Sequence, residues 1–287
     1  MRNKKGNVTK KTLNDHFEFG QNWKNYAVLI DSERIHEAKK NLIELLGHDN
    51  IRGKTILDIG CGSGIHSLAF LELGAANVTA FDFDPTSVST TRNLLKEYSN
   101  HNKFNVYQGD ILAPTLTNTQ YDVVYSWGVL HHTGNLELAL FNAANYVRQG
   151  GYLFIAIYKN TKLCWLWKKE KRFYSSTSRI NQQIIKSFYI TIFAIGYTIF
   201  KRKSFRKYIL QYQKNRGMSF FHDVHDWLGG YPYESATPQR INTSLMNMKF
   251  ELVKEVITKA GIGFFGSSCN EYVFKKDDKS YGNFESR

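Results

Sequence analysis

Acids placed around a glycine run, and two adjacent histidines, carry the chemistry this sequence offers. Asp58 stands two residues before Gly60-Cys61-Gly62-Ser63-Gly64, Asp82 comes 22 residues after Gly60, and Asp110 follows Gly109. Glycine has no Cβ, so a ligand can lie on the backbone of such a turn, and the helix that follows presents free N–H groups. An acid at the tip of the second strand is where a ribose diol is gripped. A dinucleotide site wants glycine where Ile65 stands. Asp58 would also repel a pyrophosphate, yet it suits an amino-acid ammonium group. The pattern fits a nucleoside carrying an amino acid.

His131 and His132 lie in Trp127-Gly128-Val129-Leu130-His131-His132-Thr133. An imidazole titrates near neutrality and can take a proton from a hydroxyl or amine. The plainer alternative has one ring packed on the sheet edge and the other in water. A second reactive stretch holds His222, Asp223, His225 and Asp226. Substrate orientation by His222 or its neighbours, loop hydrogen bonding and a metal site are all compatible with it, and no metal is expected. Gly229-Gly230 and Pro232 mark this stretch as an irregular loop.

These groups need a frame. Thr55 to Ile59 reads as a buried strand, followed by the glycine turn and a helix from Ile65 to Leu71. Further strands are expected at Val78 to Phe81, Phe104 to Tyr107, Val123 to Ser126 and Tyr152 to Ile157. Helices are expected from Ser32, as N-cap, to Leu46, from Asp84-Pro85 to Tyr98, and from Leu136 to Val147 before Gln149-Gly150-Gly151 breaks it. Thr237-Pro238 opens another to Met248. Phe250 to Thr258 and Asn270 to Lys276 read as two closing strands about a turn from Gly261 to Gly266. This alternation predicts an α/β fold: a mostly parallel sheet with helices on both faces and the ligand along one edge.

With Asp58-x-Gly60-x-Gly62-x-Gly64, Asp82, Gln108-Gly109-Asp110-Ile111 and Tyr121-Asp122-Val123-Val124-Tyr125-Ser126 in order, the chain resembles the class I S-adenosylmethionine-dependent methyltransferases. The resemblance covers about residues 50–158 and 237–276. It implies a Rossmann-like seven-stranded sheet with an antiparallel last strand, plus a helical insertion. It also implies S-adenosyl-L-methionine as cofactor: Asp58, Gly60, Cys61, Gly62 and Gly64 at the methionine end, Asp82 and Phe83 at the ribose, and Asp110 with Ile111 at the adenine. Ser126 and Trp127 are further candidates. In related enzymes an N-terminal segment folds over the cofactor, which makes Trp23 and Tyr26 candidate covers, although aromatics there can simply pack the first helix. His131, His132, Tyr158 and His222 are the candidate catalytic residues, although attack on a sulfonium depends mostly on positioning.

The chain divides, on this reading, into a polar tail (1–15), a cofactor-binding core with its cap (16–158), an insertion (159–236), the end of the core (237–276) and a second tail (277–287). Residues 159–216 hold 15 Lys and Arg against one acid, Glu170, whereas the whole chain carries +13. Twelve aromatic residues interleave with them. Such a segment suits a phospholipid surface, a nucleic acid or a lid. Ser187 to Phe200 carries no charge and is short for crossing a bilayer, which needs about 20 apolar residues. It suits a buried lid helix or an interfacial one. Lys168-Lys169-Glu170-Lys171-Arg172 reads as a solvated face.

Three scattered cysteines and the absence of an apolar stretch behind Met1-Arg2-Asn3-Lys4-Lys5 point to a reducing, cytoplasmic setting, with peripheral membrane contact open. The expected reaction is O-methylation of a small or lipid-linked metabolite. A tRNA-modifying methyltransferase and a non-catalytic binding protein of the same fold are the alternatives.

Overall fold

The structure is a computed structural model and describes residues 17, 19–99, 103–116, 118–216, 220–258 and 268–278, without the side chains of 213–216 and 222. The apolar runs become β1 (Thr55–Ile59), β2 (Asn77–Asp82), β3 (Phe104–Gln108), β4 (Tyr121–Trp127), β5 (Val147–Tyr158), β6 (Phe250–Val256) and β7 (Cys269–Lys276). They form one sheet ordered β3-β2-β1-β4-β5-β7-β6. The pairings among β1 to β5 are parallel, and β7 runs antiparallel to both β5 and β6. This is the predicted Rossmann-like sheet.

Strands such as β1 are apolar on both sides because both faces are covered. The helices are α1 (Phe19–Ala27), α2 (Ser32–Leu46), α3 (Ile65–Glu72), α4 (Pro85–Tyr98), α5 (Leu136–Asn145), α6 (Cys164–Ser176), α7 (Arg179–Lys201), α8 (Phe205–Arg216), α9 (Phe220–Gly229) and α10 (Pro238–Met246). Leu42 of α2, Leu68 of α3 and Leu95 of α4 pack with Ile56 and Val78 on one face. Leu140 of α5 and Leu245 of α10 pack with Leu57 and Val124 on the other. Strand order reverses between β1 and β4, which opens a crevice at their carboxyl ends.

The turn after β1 tolerates no side chain at Gly64. Its φ is +86°, and a Cβ there would lie 2.9 Å from the Thr91 Cα. Gly53 also has positive φ, +71°, but nothing lies within 4 Å of its Cβ position. Gly64→Ala is therefore expected to cost about 2–4 kcal/mol, against about 1 kcal/mol for Gly53→Ala. Urea denaturation of the two variants checks this; equal losses would contradict the packing argument.

Several boundaries differ from the sequence reading. Asp31, not Ser32, caps α2, its carboxylate accepting from the Arg34 N–H. β5 begins at Val147, so α5 ends earlier and Gln149-Gly150-Gly151 lies within the strand. Val147 pairs with Tyr121, and an irregularity between Tyr121 and Val123 absorbs the glycines. The stretch read as an irregular loop is helical as far as Gly229, because Phe220, Val224 and Leu228 share one buried face. The uncharged run Ser187 to Phe200 is part of a 23-residue helix begun by a Ser178 cap, and none of its residues is buried. That excludes the fully buried lid helix. The turn Gly261 to Gly266, residues 1–15 and all of 277–287 beyond Asp278 lie outside the described residues.

Candidate active site

Gly60, Gly62 and Gly64 all adopt positive φ, and the amides of Gly60 and Cys61 both donate to the Phe81 carbonyl, at 2.8 and 3.1 Å. The turn is thereby pinned to the end of β2. A Cβ on Gly60 would meet the Val129 side chain at 2.4 Å, and one on Gly62 would meet the Trp23 ring at 3.2 Å. Trp23 thus lies directly on the glycine turn, edge-on to Tyr26.

Two buried carboxyls flank this turn. Asp58 accepts a 2.6 Å hydrogen bond from the Ser67 hydroxyl of α3, and burial raises its pKa to about 7, with Asp82 adding to the rise. Asp82 accepts from the amides of Gly62 (3.0 Å) and Asp84 (2.9 Å), yet burial still lifts it to about 6. The Cys61 thiol is pushed well up by burial and by these two acids, so it stays neutral. Asp84 accepts from the Gly20 amide at 3.0 Å, which ties α1 across the tip of β2.

Asp110 accepts from the Leu112 amide at 2.8 Å, and Ile111 is buried beside it. Phe83 lends its carbonyl to the Gln108 side-chain amide at 3.0 Å. Ser126 is fully buried and donates to the Ile59 carbonyl at 3.2 Å, holding β4 against β1. The Trp127 indole N–H donates to Glu271 of β7 at 3.0 Å.

The histidines sit in a short 3-10 turn, Leu130–His132, after Gly128. His131 is fully buried, and neither ring nitrogen has a hydrogen-bond partner among the described residues. Its ring centre lies 4.0 Å from that of Tyr158 and 4.4 Å from that of His132. Burial, aided by the charges of His132 and Lys171, holds its pKa well below the usual histidine value. The imidazole is therefore neutral and can accept a hydrogen bond, but the same burial disfavours its protonated form, so it does not titrate near neutrality as the sequence suggests. His132 Nδ1 lies 2.8 Å from the Pro232 carbonyl, which places the proton on that nitrogen. Burial pushes the Tyr158 phenol far up, so it too remains neutral.

Residues that the sequence reading passed over enclose this cluster. Lys171, read as part of a solvated face, is only 1% exposed. Its ammonium lies over the rings of Tyr158, Trp167 and Tyr233 and donates to the Trp227 carbonyl. The available signal was helical spacing: Trp167, Lys171 and Tyr174 share one buried face of α6. Glu234 straps the histidine turn in place. Its amide donates to the His131 carbonyl at 2.9 Å, and its carboxylate accepts from the Leu136 amide at 2.8 Å.

The N-terminal segment closes the other side. The Phe17 amide donates to the Tyr231 carbonyl at 2.9 Å, and the Phe17 ring rests on Gly229. His225 meets Phe17 and Tyr174 instead of joining the histidine pair. His222 falls in the first turn of α9, outside the residues whose side chains are described. No group of three or more His, Cys, Asp or Glu converges as metal ligands among the described residues.

Residues 56–151 match a family model described as a methyltransferase domain. A ubiquinone biosynthesis O-methyltransferase from Rickettsia prowazekii is 30% identical over 165 residues, which is 56% of this chain and 64% of that protein. A ribosomal protein L11 methyltransferase from Escherichia coli is 40% identical over 58 residues, 20% of each chain. The chain thus spans less than two thirds of the curated relatives it matches. Among solved structures, an N-methyltransferase from Bradyrhizobium japonicum in complex with S-adenosyl-L-homocysteine aligns with TM-score 0.52 at 13% identity, covering 90% of this chain and 98% of that one. The magnesium protoporphyrin IX methyltransferase from Synechocystis aligns with TM-score 0.51 at 14% identity, over 95% and 90%. At these identities the likeness is one of fold.

Proposed function

We propose, from the premise that this chain carries a methyltransferase domain on the class I fold, that it moves a methyl group from S-adenosyl-L-methionine to a hydroxyl of a small or lipid-linked acceptor. The cofactor fits the two buried carboxyls, whose pKa values burial raises: an ammonium group beside Asp58 would offset that cost, and ribose hydroxyls could donate to Asp82. In this reading Asp58 and the glycine turn hold the methionine end, Asp82 the ribose and Asp110 the adenine, with Trp23 as the cover. When bound, the cofactor supplies an electrophilic methyl group on a sulfonium.

The chain's own contribution is positioning. The observation that carries the reading is the orphaned imidazole of His131. A buried polar group without a partner costs about 1–3 kcal/mol, and an acceptor hydroxyl donating to it would remove that cost. The same contact aims the oxygen, and because burial and Lys171 disfavour an imidazolium, aiming outweighs proton transfer in this role. Tyr158 and Phe19 wall the pair with rings and Tyr233 backs Tyr158, which excludes water and favours an acceptor with an apolar or aromatic body. The O-methyltransferase similarity supports a small-molecule acceptor.

Incubation with methyl-labelled cofactor and separate pools of phenolic and hydroxylated metabolites, membrane lipid and purified tRNA tests this. Label is expected in base-stable methyl ethers of the small-molecule or lipid pool. Label confined to tRNA would contradict the reading, and binding without turnover in any pool would make the chain a non-catalytic nucleoside binder.

A further inference from the structure

Helix α7 presents two faces of different character. Ile185, Tyr189, Ile190 and Phe193 pack inward against α8 and α9 in a cluster with Tyr212 and Phe220. On the opposite face Ile180, Ile184, Phe188, Ile192, Ile195 and Ile199 point outward, with Ile180 74% and Phe188 67% exposed. Their spacing of three and four residues makes one continuous apolar stripe along a 23-residue helix. Monomeric proteins rarely leave such a stripe to water.

The polar groups on that side suit an apolar surrounding. The hydroxyls of Thr191 and Thr198 donate back to the carbonyls of Ser187 and Ala194, both at 2.8 Å, so neither needs water. Around the stripe the charge is of one sign. Arg179 opens the helix, Lys201, Arg202 and Lys203 close it, and Arg206 and Lys207 follow at the start of α8, all exposed. A second copy of this face would bring like charges together. The inner face packs against the neighbouring helices, which suits a helix lying along the molecule on a membrane surface, although its length and apolarity would also allow a span.

We propose that the outer face of α7 docks on an anionic lipid bilayer, its isoleucine and phenylalanine side chains entering the acyl boundary and its flanking Lys and Arg meeting the headgroups. This goes beyond methyl transfer and is independent of it, because docking needs neither cofactor nor acceptor.

The test is co-sedimentation of the full chain with vesicles of phosphatidylcholine alone or mixed with phosphatidylglycerol. The wild type is expected to partition into the mixed vesicles about tenfold or more above the neutral ones. Ile184→Asp/Phe188→Asp, at outward positions that leave the inner packing alone, should lose about tenfold or more of that partitioning while its thermal unfolding stays unchanged. Three results would overturn the proposal: wild type remaining in the supernatant with anionic vesicles, a double variant that binds as well as wild type, or sedimentation equilibrium showing a dimer that this variant dissolves. A preference for RNA that survives the double variant and displaces the protein from vesicles would also overturn it.

Discussion

His131→Phe is expected to make the protein more stable and nearly inactive. Phenylalanine preserves a flat ring against Tyr158 and removes two buried nitrogens that have no partner among the described residues. Losing an unsatisfied buried polar group stabilises by about 1–3 kcal/mol. Losing the acceptor that aims the substrate hydroxyl lowers turnover by about 10²-fold or more, with cofactor affinity unchanged. A histidine that merely packs the sheet edge predicts the reverse, a small change in turnover. Thermal unfolding and single-turnover methyl transfer on the same variant separate the two.

The same histidine sets a pH signature. Its folded pKa lies well below the ordinary value near 6.5, so the unfolded chain binds the extra proton first. Its contribution to stability is therefore present above about pH 6.5 and is lost as pH falls below it. The groups facing the ring are His132 and Lys171, which add positive charge, and Tyr158, which stays neutral. Between pH 7 and pH 5 the wild type should lose more stability than His131→Phe. Parallel melting curves for the two would contradict the assignment of burial as the cause.

The second large effect belongs to the carboxyls. Asp58 has a folded pKa of about 7, raised by burial, while its unfolded value is that of an ordinary aspartate. Relative to the unfolded chain, stability is lost as pH rises towards and through that folded value. Asp58→Asn keeps an acceptor for Ser67 and removes the ionisation, so at pH 8 the cofactor-free variant should gain about 1–3 kcal/mol, with no gain at pH 3. Its affinity for S-adenosyl-L-methionine should fall about 10–100-fold, because a charged partner of the ammonium group is gone. A variant that is less stable at pH 8, or that binds the cofactor as before, would contradict this account of Asp58.

The sheet was legible because its information is local. Ile56, Leu57 and Ile59 need both faces covered wherever they lie, and Gly60, Gly62 and Gly64 announce a turn that only positive φ can make. The positions of the acids follow from the same strands: Asp58 is the last residue but one of β1, Asp82 ends β2, and Asp110 lies two residues past β3. Lys171 was not. Its neighbours in sequence are charged, and its burial follows from a helical face shared with Trp167 and from the Trp227 carbonyl, 56 residues further on. The α9 helix was hidden by glycines and a proline that end it but do not break it. Composition showed that the Ser187 to Phe200 run is apolar, but which face stays uncovered depends on how α8 and α9 pack against it. The role of Glu234 was equally out of reach, because a strap is defined by the turn it holds.

Isothermal titration of the purified chain with S-adenosyl-L-methionine tests the central claim most directly, with Asp82→Ala as its control. The account predicts saturable binding of one ligand per chain, and a loss of affinity of roughly 100-fold or more when the carboxylate at the tip of β2 is removed. No heat with the wild type, or an isotherm unchanged in Asp82→Ala, would contradict it.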